Sequence, residues 1–395
     1  MKYLIIIGDG MADNPIPALD NRTALQAAHI PTMDRLAQQG RLGLVKTVPD
    51  SLPPGSDTAI LSIFGCDPEK YFTGRSPLEA AGAGVPLNDG DVSYRCNIVT
   101  LGAADNFEDR LMLSHSGNSV EGELADELLA RLYADPTFAE LCRQQRLTIH
   151  PTRSFRHIAT QAGASLDDFK AYPPHDYPGK PIKNILPQGN TTALGLAALM
   201  RRAAELLCER ETANGIWFWA EGRACALPDF NKRFNKTGFV VSAVPLVQGI
   251  GRLCGLKPHI VPTATAELDT DYEGKADAIL YGLRNTDFAV LHMEAPDECT
   301  HNGDLEGKIE AIQRLDSRCI ERVVQGLNAL DDYKLLILSD HKTLISTRGH
   351  DRDPVPYILY DSRDTTNCGL DYNEQNAAKG DYIENGYTLI ERLLK

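Results

Sequence analysis

The chain reads as an α/β protein: a mostly parallel sheet covered by helices on both faces, with an α+β module inserted between two halves of the core. Three observations predict it. Short aliphatic runs alternate with helical patterns near both ends of the chain, acidic and imidazole side chains follow directly on those runs, and residues 86–245 break the alternation. With 395 residues, 43% of them hydrophobic and 24% charged, there is ample material for two globular units.

The first strand is Tyr3 to Ile7, broken by the glycines of "GDGMAD". Helical spacing follows over Ala24 to Ala28. A second helix runs from Pro31 to a stop at Gly40, because proline suits a helix's first turn and glycine the position past its end. After "PPGS" a helix spans Asp57 to Phe64, with Ile60, Leu61 and Phe64 on one side. Ser76-Pro77 reads as N-cap and first-turn proline of a short helix through Ala81.

The C-terminal third repeats the alternation. "DFAVLHM" (287–293) is a strand, and 304–330 is a long helix with Ile309, Ile312, Leu315, Ile320, Val323 and Leu327 at helical spacing. "KLLILS" (334–339) and "PYILY" (356–360) are strands, and 381–394 is a closing amphipathic helix. Such alternation implies parallel strands buried on both faces, with chemistry gathered beyond their carboxyl ends. The middle differs: strand candidates "YRCNIVTL" and "FRHIATQAG", a proline-rich connection at 171–181 and a long helix at 192–211. The core is therefore expected over 1–85 and 246–395, with a substrate-binding or lid module over 86–245.

Composition excludes several classes. A net charge of −14 lacks the basic footprint that nucleic-acid binding requires. The apolar run "YLIII" is too short for a leader or a membrane span, and no stretch reaches about 18 apolar residues. The nine cysteines form no Cys-x-x-Cys; Cys208, Cys254 and Cys319 lie in apolar helical patterns, where a small buried thiol is expected. The cytoplasm is the expected compartment.

Against that background Asp9, Asp297 and Asp340 all sit just past a predicted strand. In "APDECTH", Asp297 and His301 are four apart, which puts them on one face of a helical turn. Asp340–His341 closes the next strand and His350 follows nine residues later. Any one of these has an ordinary reading, a turn aspartate or a surface pair. Three carboxylates and three imidazoles at strand ends together suit a pair of divalent ions, Mn²⁺ and Zn²⁺ accepting imidazole more readily than Mg²⁺. Two such ions can clamp the attacking and leaving oxygens of a phosphoryl transfer. Ser56 in "PPGSDTA" is the nucleophile candidate. It opens a helix after a tight turn, where free backbone N–H groups favour an anion, although alone it would read as a helix cap.

The segments "IIIGDGMAD", "PPGSDTAILSIFG", "YFTGRSPLEAAGAG", "YRCNIVTL", "APDECTHNGDLEGKIEAI" and "SDHKTLISTRGHDRDPVPYIL" resemble, in order along nearly the whole chain, the archaeal-type cofactor-independent phosphoglycerate mutases of the alkaline phosphatase superfamily. The resemblance implies an alkaline-phosphatase-like core. It assigns one ion, expected to be Mn²⁺ with Mg²⁺ or Zn²⁺ as alternatives, to Asp297, His301 and His350. The other goes to Asp9, Asp340, His341 and the Ser56 oxygen. Ser56 would carry the phosphoryl group between the 3- and 2-positions of a retained glycerate, without bisphosphoglycerate. Arg75, Arg95 and Arg156 are the candidates for gripping this small phosphorylated substrate, since guanidinium groups pair with carboxylate and phosphate through two hydrogen bonds.

The chain departs from the mutase pattern in the inserted module. "SHSGN" (114–118) stands where an Arg-Ala-Gly-Arg stretch is expected, and Trp217 and Trp219 replace smaller or basic residues. Around those tryptophans and at "PPHD" (173–176) it resembles a sister group proposed to be homoserine kinases, so a kinase-like phosphotransferase is the alternative, followed by a phosphomonoesterase. There is no G-x-x-x-x-G-K-[ST] loop. "DTDYEG" (269–274) opens like a calcium loop but has Leu280 where the closing Glu belongs. The oligomeric state is left open.

Overall fold

The computed structural model describes residues 1–330, 332–364 and 367–395. These form two compact units, Met1–Phe72 with Ala226–Lys395, and Thr73–Cys225. The divisions fall at 72/73 and 225/226, where 85/86 and 245/246 were expected. The helix Arg75–Gly82 packs on strands of the inserted unit, and Gly238–Val241 pairs into the core sheet.

The core unit is built on eight strands: β1 (Lys2–Gly8), β2 (Arg41–Val45), β3 (Gly238–Val241), β4 (Lys257–His259), β5 (Phe288–Met293), β6 (Tyr333–Leu338), β7 (Val355–Asp361) and β8 (Asp381–Ile383). Their order is β4-β3-β5-β1-β6-β7-β2-β8, and only β7 runs against its neighbours. Leu4 to Ile7 are at most 1% exposed, as a central parallel strand with both faces covered requires. Helices Pro31–Gln39, Tyr272–Leu283 and the 305–328 segment pack one face; Pro245–Leu253 and Leu389–Leu394 pack against strands as well.

The long helix expected at 304–330 is one helical path, Leu305–Arg314 and Glu321–Asn328, joined through a wider π turn at Leu315–Ile320. The turn presents buried Asp316, whose carboxylate accepts from Thr32 N (3.1 Å) and Met33 N (2.7 Å). Those are free donors of the helix Pro31–Gln39, whose own N-cap residue, Ile30, has no side-chain acceptor.

The inserted unit centres on the strand Val92–Leu101, antiparallel to Arg156–Gln161 on one side and Gly215–Arg223 on the other. Its apolar core joins Tyr94, Ile98, Leu196, Leu199, Trp217 and Phe218.

Three expectations are corrected. Residues 381–383 are strand β8, and the closing helix is only Leu389–Leu394. Ser76 does not cap its helix; Gly74 stands at the cap and the buried Ser76 hydroxyl bonds Ser93 O at 2.8 Å. Cys208 is exposed, whereas Cys254 and Cys319 are buried. Among the described residues no helix is long and apolar enough to cross a membrane.

Candidate active site

The parallel register brings the carboxyl ends of β5, β1 and β6 side by side, with Ile7 opposite both His292 and Leu338. Asp9 continues the ladder, its N–H donating to Met293 O at 2.9 Å. Gly10 then turns the chain with φ +60°, and its N–H donates to Asp340 Oδ1 (3.1 Å). A Cβ at Gly10 would lie 2.6 Å from Asp297 Oδ1. Gly10→Ala is therefore expected to cost at least about 1–2 kcal/mol from the left-handed backbone alone, read as a lower midpoint in a urea melt.

The six side chains read from the sequence gather into two clusters. Asp9, Asp340 and His341 form one, and Asp297, His301 and His350 the other; within each, one ligand atom per residue lies within 4.8 Å of the rest. The first is buried and the second opens to solvent at His301. Imidazole contacts join them, His341–His350 tilted with ring centroids 4.1 Å apart and His301–His350 edge-on at 4.8 Å. Ser56 starts the helix Ser56–Ile63, and its Oγ is 3.1 Å from His341 Nε2.

Hydrogen bonds around the rings fix which nitrogens are open. His301 Nδ1 donates to Arg348 O at 2.9 Å, leaving Nε2 to face Asp297 Oδ2 at 3.1 Å and His350 Nε2 at 3.0 Å. Thr343 Oγ1 gives its hydrogen to Asp297 Oδ1 (2.5 Å) and so can accept from His341 Nδ1 (3.2 Å). His341 Nε2 is thereby left with its lone pair toward Asp340 Oδ2 (3.2 Å) and Asp9 Oδ1 (3.6 Å). Those two oxygens are buried and accept no hydrogen bond. Burial, then the charges of Asp340 and Asp297, pushes the Asp9 carboxyl well above its usual range. Orphaned carboxylate oxygens facing an imidazole lone pair are a donor set that fits a divalent cation, with the tautomer-fixing partners behind it.

Behind Asp9 lies a buried chain that the sequence reading missed. His292 Nε2 is 3.1 Å from Asp9 Oδ2, at ion-pair distance though bent from a full hydrogen bond, and Nδ1 is 3.1 Å from Glu294 Oε1. Glu294 also accepts from Ser242 Oγ (3.0 Å), Ala243 N (3.0 Å) and Lys275 Nζ (2.5 Å). Burial disfavours charge on His292, but Glu294 and Asp9 outweigh it and push its pKa up to about 10. The signal was present in "HMEAPDE": a histidine and a glutamate two apart in an otherwise apolar strand end, hence on one side of it.

Arg75, Arg95 and Arg156 belong to the inserted unit, whereas the seven groups above belong to the core unit. Arg75 Nε donates to Glu79 Oε1 (3.0 Å), and Arg95 grips Glu79 through Nε (2.6 Å to Oε2) and Nη2. Burial opposes the charge on Glu79, but Arg95, Arg75 and Arg156 hold its carboxyl well below the usual range. The Arg95 guanidinium lies 4.7 Å over Trp219, which donates to Asn97 Oδ1 at 3.0 Å. His175 packs edge-on to Trp219 (5.1 Å) and His115 to His175 (5.9 Å). The departures at 114–118, 173–176 and Trp219 are thus linked through His115, His175 and Trp219, the last of which lies against Arg95. Trp217 instead turns into the apolar core and donates to Tyr172 O at 2.9 Å.

Comparison with known proteins places this architecture. The family model described as 2,3-bisphosphoglycerate-independent phosphoglycerate mutase matches residues 37–213. A 2,3-bisphosphoglycerate-independent phosphoglycerate mutase of Methanosarcina acetivorans is 39% identical, over 96% of this chain and 95% of that protein. A probable enzyme of the same name from Geobacter sulfurreducens is 37% identical over the full length of both. Among solved structures, the PH0037 protein from Pyrococcus horikoshii aligns with a TM-score of 0.79 at 25% identity, covering 100% of this chain and 97% of that one. The cofactor-independent phosphoglycerate mutase from Thermoplasma acidophilum shares the fold, with a TM-score of 0.63 at 22% identity over 100% and 99% of the two chains. With relatives of this name matching it from end to end, the chain belongs to the 2,3-bisphosphoglycerate-independent phosphoglycerate mutase family.

Proposed function

We propose that the chain interconverts 3-phosphoglycerate and 2-phosphoglycerate through a phosphoserine at Ser56, without a bisphosphoglycerate cofactor. The observation that carries this is the Ser56 hydroxyl at the start of a helix, 3.1 Å from His341 and beside two clusters of carboxylates and imidazoles. One ion would be held by Asp297, His301 and His350, the other by Asp9, Asp340 and His341 with the Ser56 oxygen. Mn²⁺ suits this mixed oxygen and nitrogen set, with Zn²⁺ and Mg²⁺ as alternatives. When bound, such ions lower the pKa of a serine hydroxyl and offset charge on phosphoryl oxygens.

Ser56 Oγ forms a bond to phosphorus as the bond to the glycerate 3-oxygen breaks, and that oxygen takes up the proton Ser56 gives up. The 2-hydroxyl of the retained glycerate then takes the phosphoryl group back and returns a proton to Ser56. Backbone N–H groups at the start of the helix Ser56–Ile63 favour the transferring anion. Arg75, Arg95 and Arg156 are the candidates for holding the substrate's carboxylate and phosphate, since guanidinium groups pair with both through two hydrogen bonds.

The test is an enolase-coupled assay of the purified protein with Mn²⁺ and 3-phosphoglycerate, run beside homoserine with ATP. Turnover of 3-phosphoglycerate without free phosphate is expected. Turnover of homoserine alone would replace the mutase with a kinase-like phosphotransferase, and net phosphate release would make it a phosphomonoesterase. Stripping with a chelator is expected to reduce activity to background, and Mn²⁺ to restore it.

A further inference from the structure

Glu294, His292 and Lys275 are more than core filling. The three are at most 2% exposed and form one line, Lys275 Nζ to Glu294, Glu294 to His292 Nδ1, His292 Nε2 to Asp9 Oδ2, at 2.5, 3.1 and 3.1 Å. Burying so many charged groups is costly and contributes little net stability by itself, so a purely structural role would be served as well by aliphatics. The far end of the line is fixed from several directions. Lys275 Nζ also donates to His292 O (3.2 Å), and Glu294 takes hydrogens from Ser242 Oγ and Ala243 N. An imidazole clamped in this way can address only one atom at its open end, and that atom is Asp9 Oδ2. The other Asp9 oxygen, Oδ1, is the orphaned one that faces His341 Nε2.

We infer that His292 is a positioning residue. It engages Oδ2 of Asp9 so that Oδ1 alone is presented to the ion shared with Asp340 and His341, and Glu294 with Lys275 holds the imidazole in that orientation. The cluster of Asp297, His301 and His350 contains none of these contacts, so the effect is confined to one of the two ions. This rests on the proposed reading of Asp9 as a ligand and deepens it. Outer partners of metal ligands act in this way, and their removal typically weakens metal binding about 10–100-fold.

Calorimetric titration of chelator-stripped protein with Mn²⁺ alone tests the inference. Wild-type protein is expected to bind two ions. His292→Gln is expected to bind one with unchanged affinity and the other about 10–100-fold more weakly. Glu294→Gln, which keeps the imidazole but loosens its clamp, is expected to weaken the same ion by less. Melting of the stripped variants, followed by circular dichroism, reports the fold separately. Two wild-type affinities in a folded His292→Gln protein would overturn the inference. So would equal weakening of both ions, or failure of both variants to fold, since either makes the line a general support. Failure of the underlying reading looks different: wild-type protein would bind fewer than two ions, or Asp9→Ala would bind as wild type does.

Discussion

Replacing Ser56 by alanine is expected to lower phosphoglycerate turnover by about 10⁴-fold or more while the protein stays folded and binds both ions. The size follows from the role: removing the atom that forms the covalent intermediate removes the reaction path, and nucleophile deletions in other enzymes reach such losses. The selectivity follows from the structure. Gly55 occupies the cap position of the helix, and the Ser56 side chain makes no capping bond there; its hydroxyl contact is with His341 Nε2. The six other proposed ligands remain, so Mn²⁺ content is expected to change little. With Mn²⁺ present, the ion would take up the His341 Nε2 lone pair that Ser56 leaves, and stability should then stay within about 0.5 kcal/mol of wild type. The enolase-coupled rate, a urea melt and Mn²⁺ content on one preparation check all three. A variant that kept a tenth of the wild-type rate would remove the phosphoserine from the mechanism.

The second large effect concerns Glu79. Its side chain is 9% exposed and lies against Arg95, 6% exposed, and Arg75. Glu79→Ala would leave the Arg95 guanidinium buried over Trp219 without its counter-charge, and breaking a buried pair from one side costs about 3–5 kcal/mol. The dependence on pH has a defined sign. Because the folded-state pKa of Glu79 is held below its unfolded value, its stabilisation is fully present above the ordinary glutamate pKa. It fades as pH falls from there toward the folded value. Urea midpoints of wild type and Glu79→Ala should therefore differ most at pH 7 and converge on acidification below about 4.3. A constant difference between pH 7 and 3.5 would mean that packing, rather than the ion pair, carries the loss.

Legibility in the sequence followed the range over which each feature is determined. Asp297 and His301 were visible because helical spacing alone places them together, and Asp340–His341 because they follow a long aliphatic run. Nothing local reveals that Asp9 stands between them; the parallel register of β1 with β5 and β6 does that. Ser242 and Lys275 were hidden for a physical reason: a polar group in a buried element announces itself only through its partner, and both reach Glu294 from distant segments, whereas His292 stands two residues from it. β8 has three residues, too few for any periodicity, and is a strand only because it pairs with β2. Ser76 carried the composition of a cap, but the helix packs so closely on Val92–Leu101 that its hydroxyl serves Ser93 instead.

The strand order has one more consequence. β1 is synthesised long before both of its sheet neighbours, β5 and β6. A polypeptide cut short before residue 340 therefore carries Asp9 and Ser56 without Asp340, His341 and His350, half of the six side chains proposed to hold the ions.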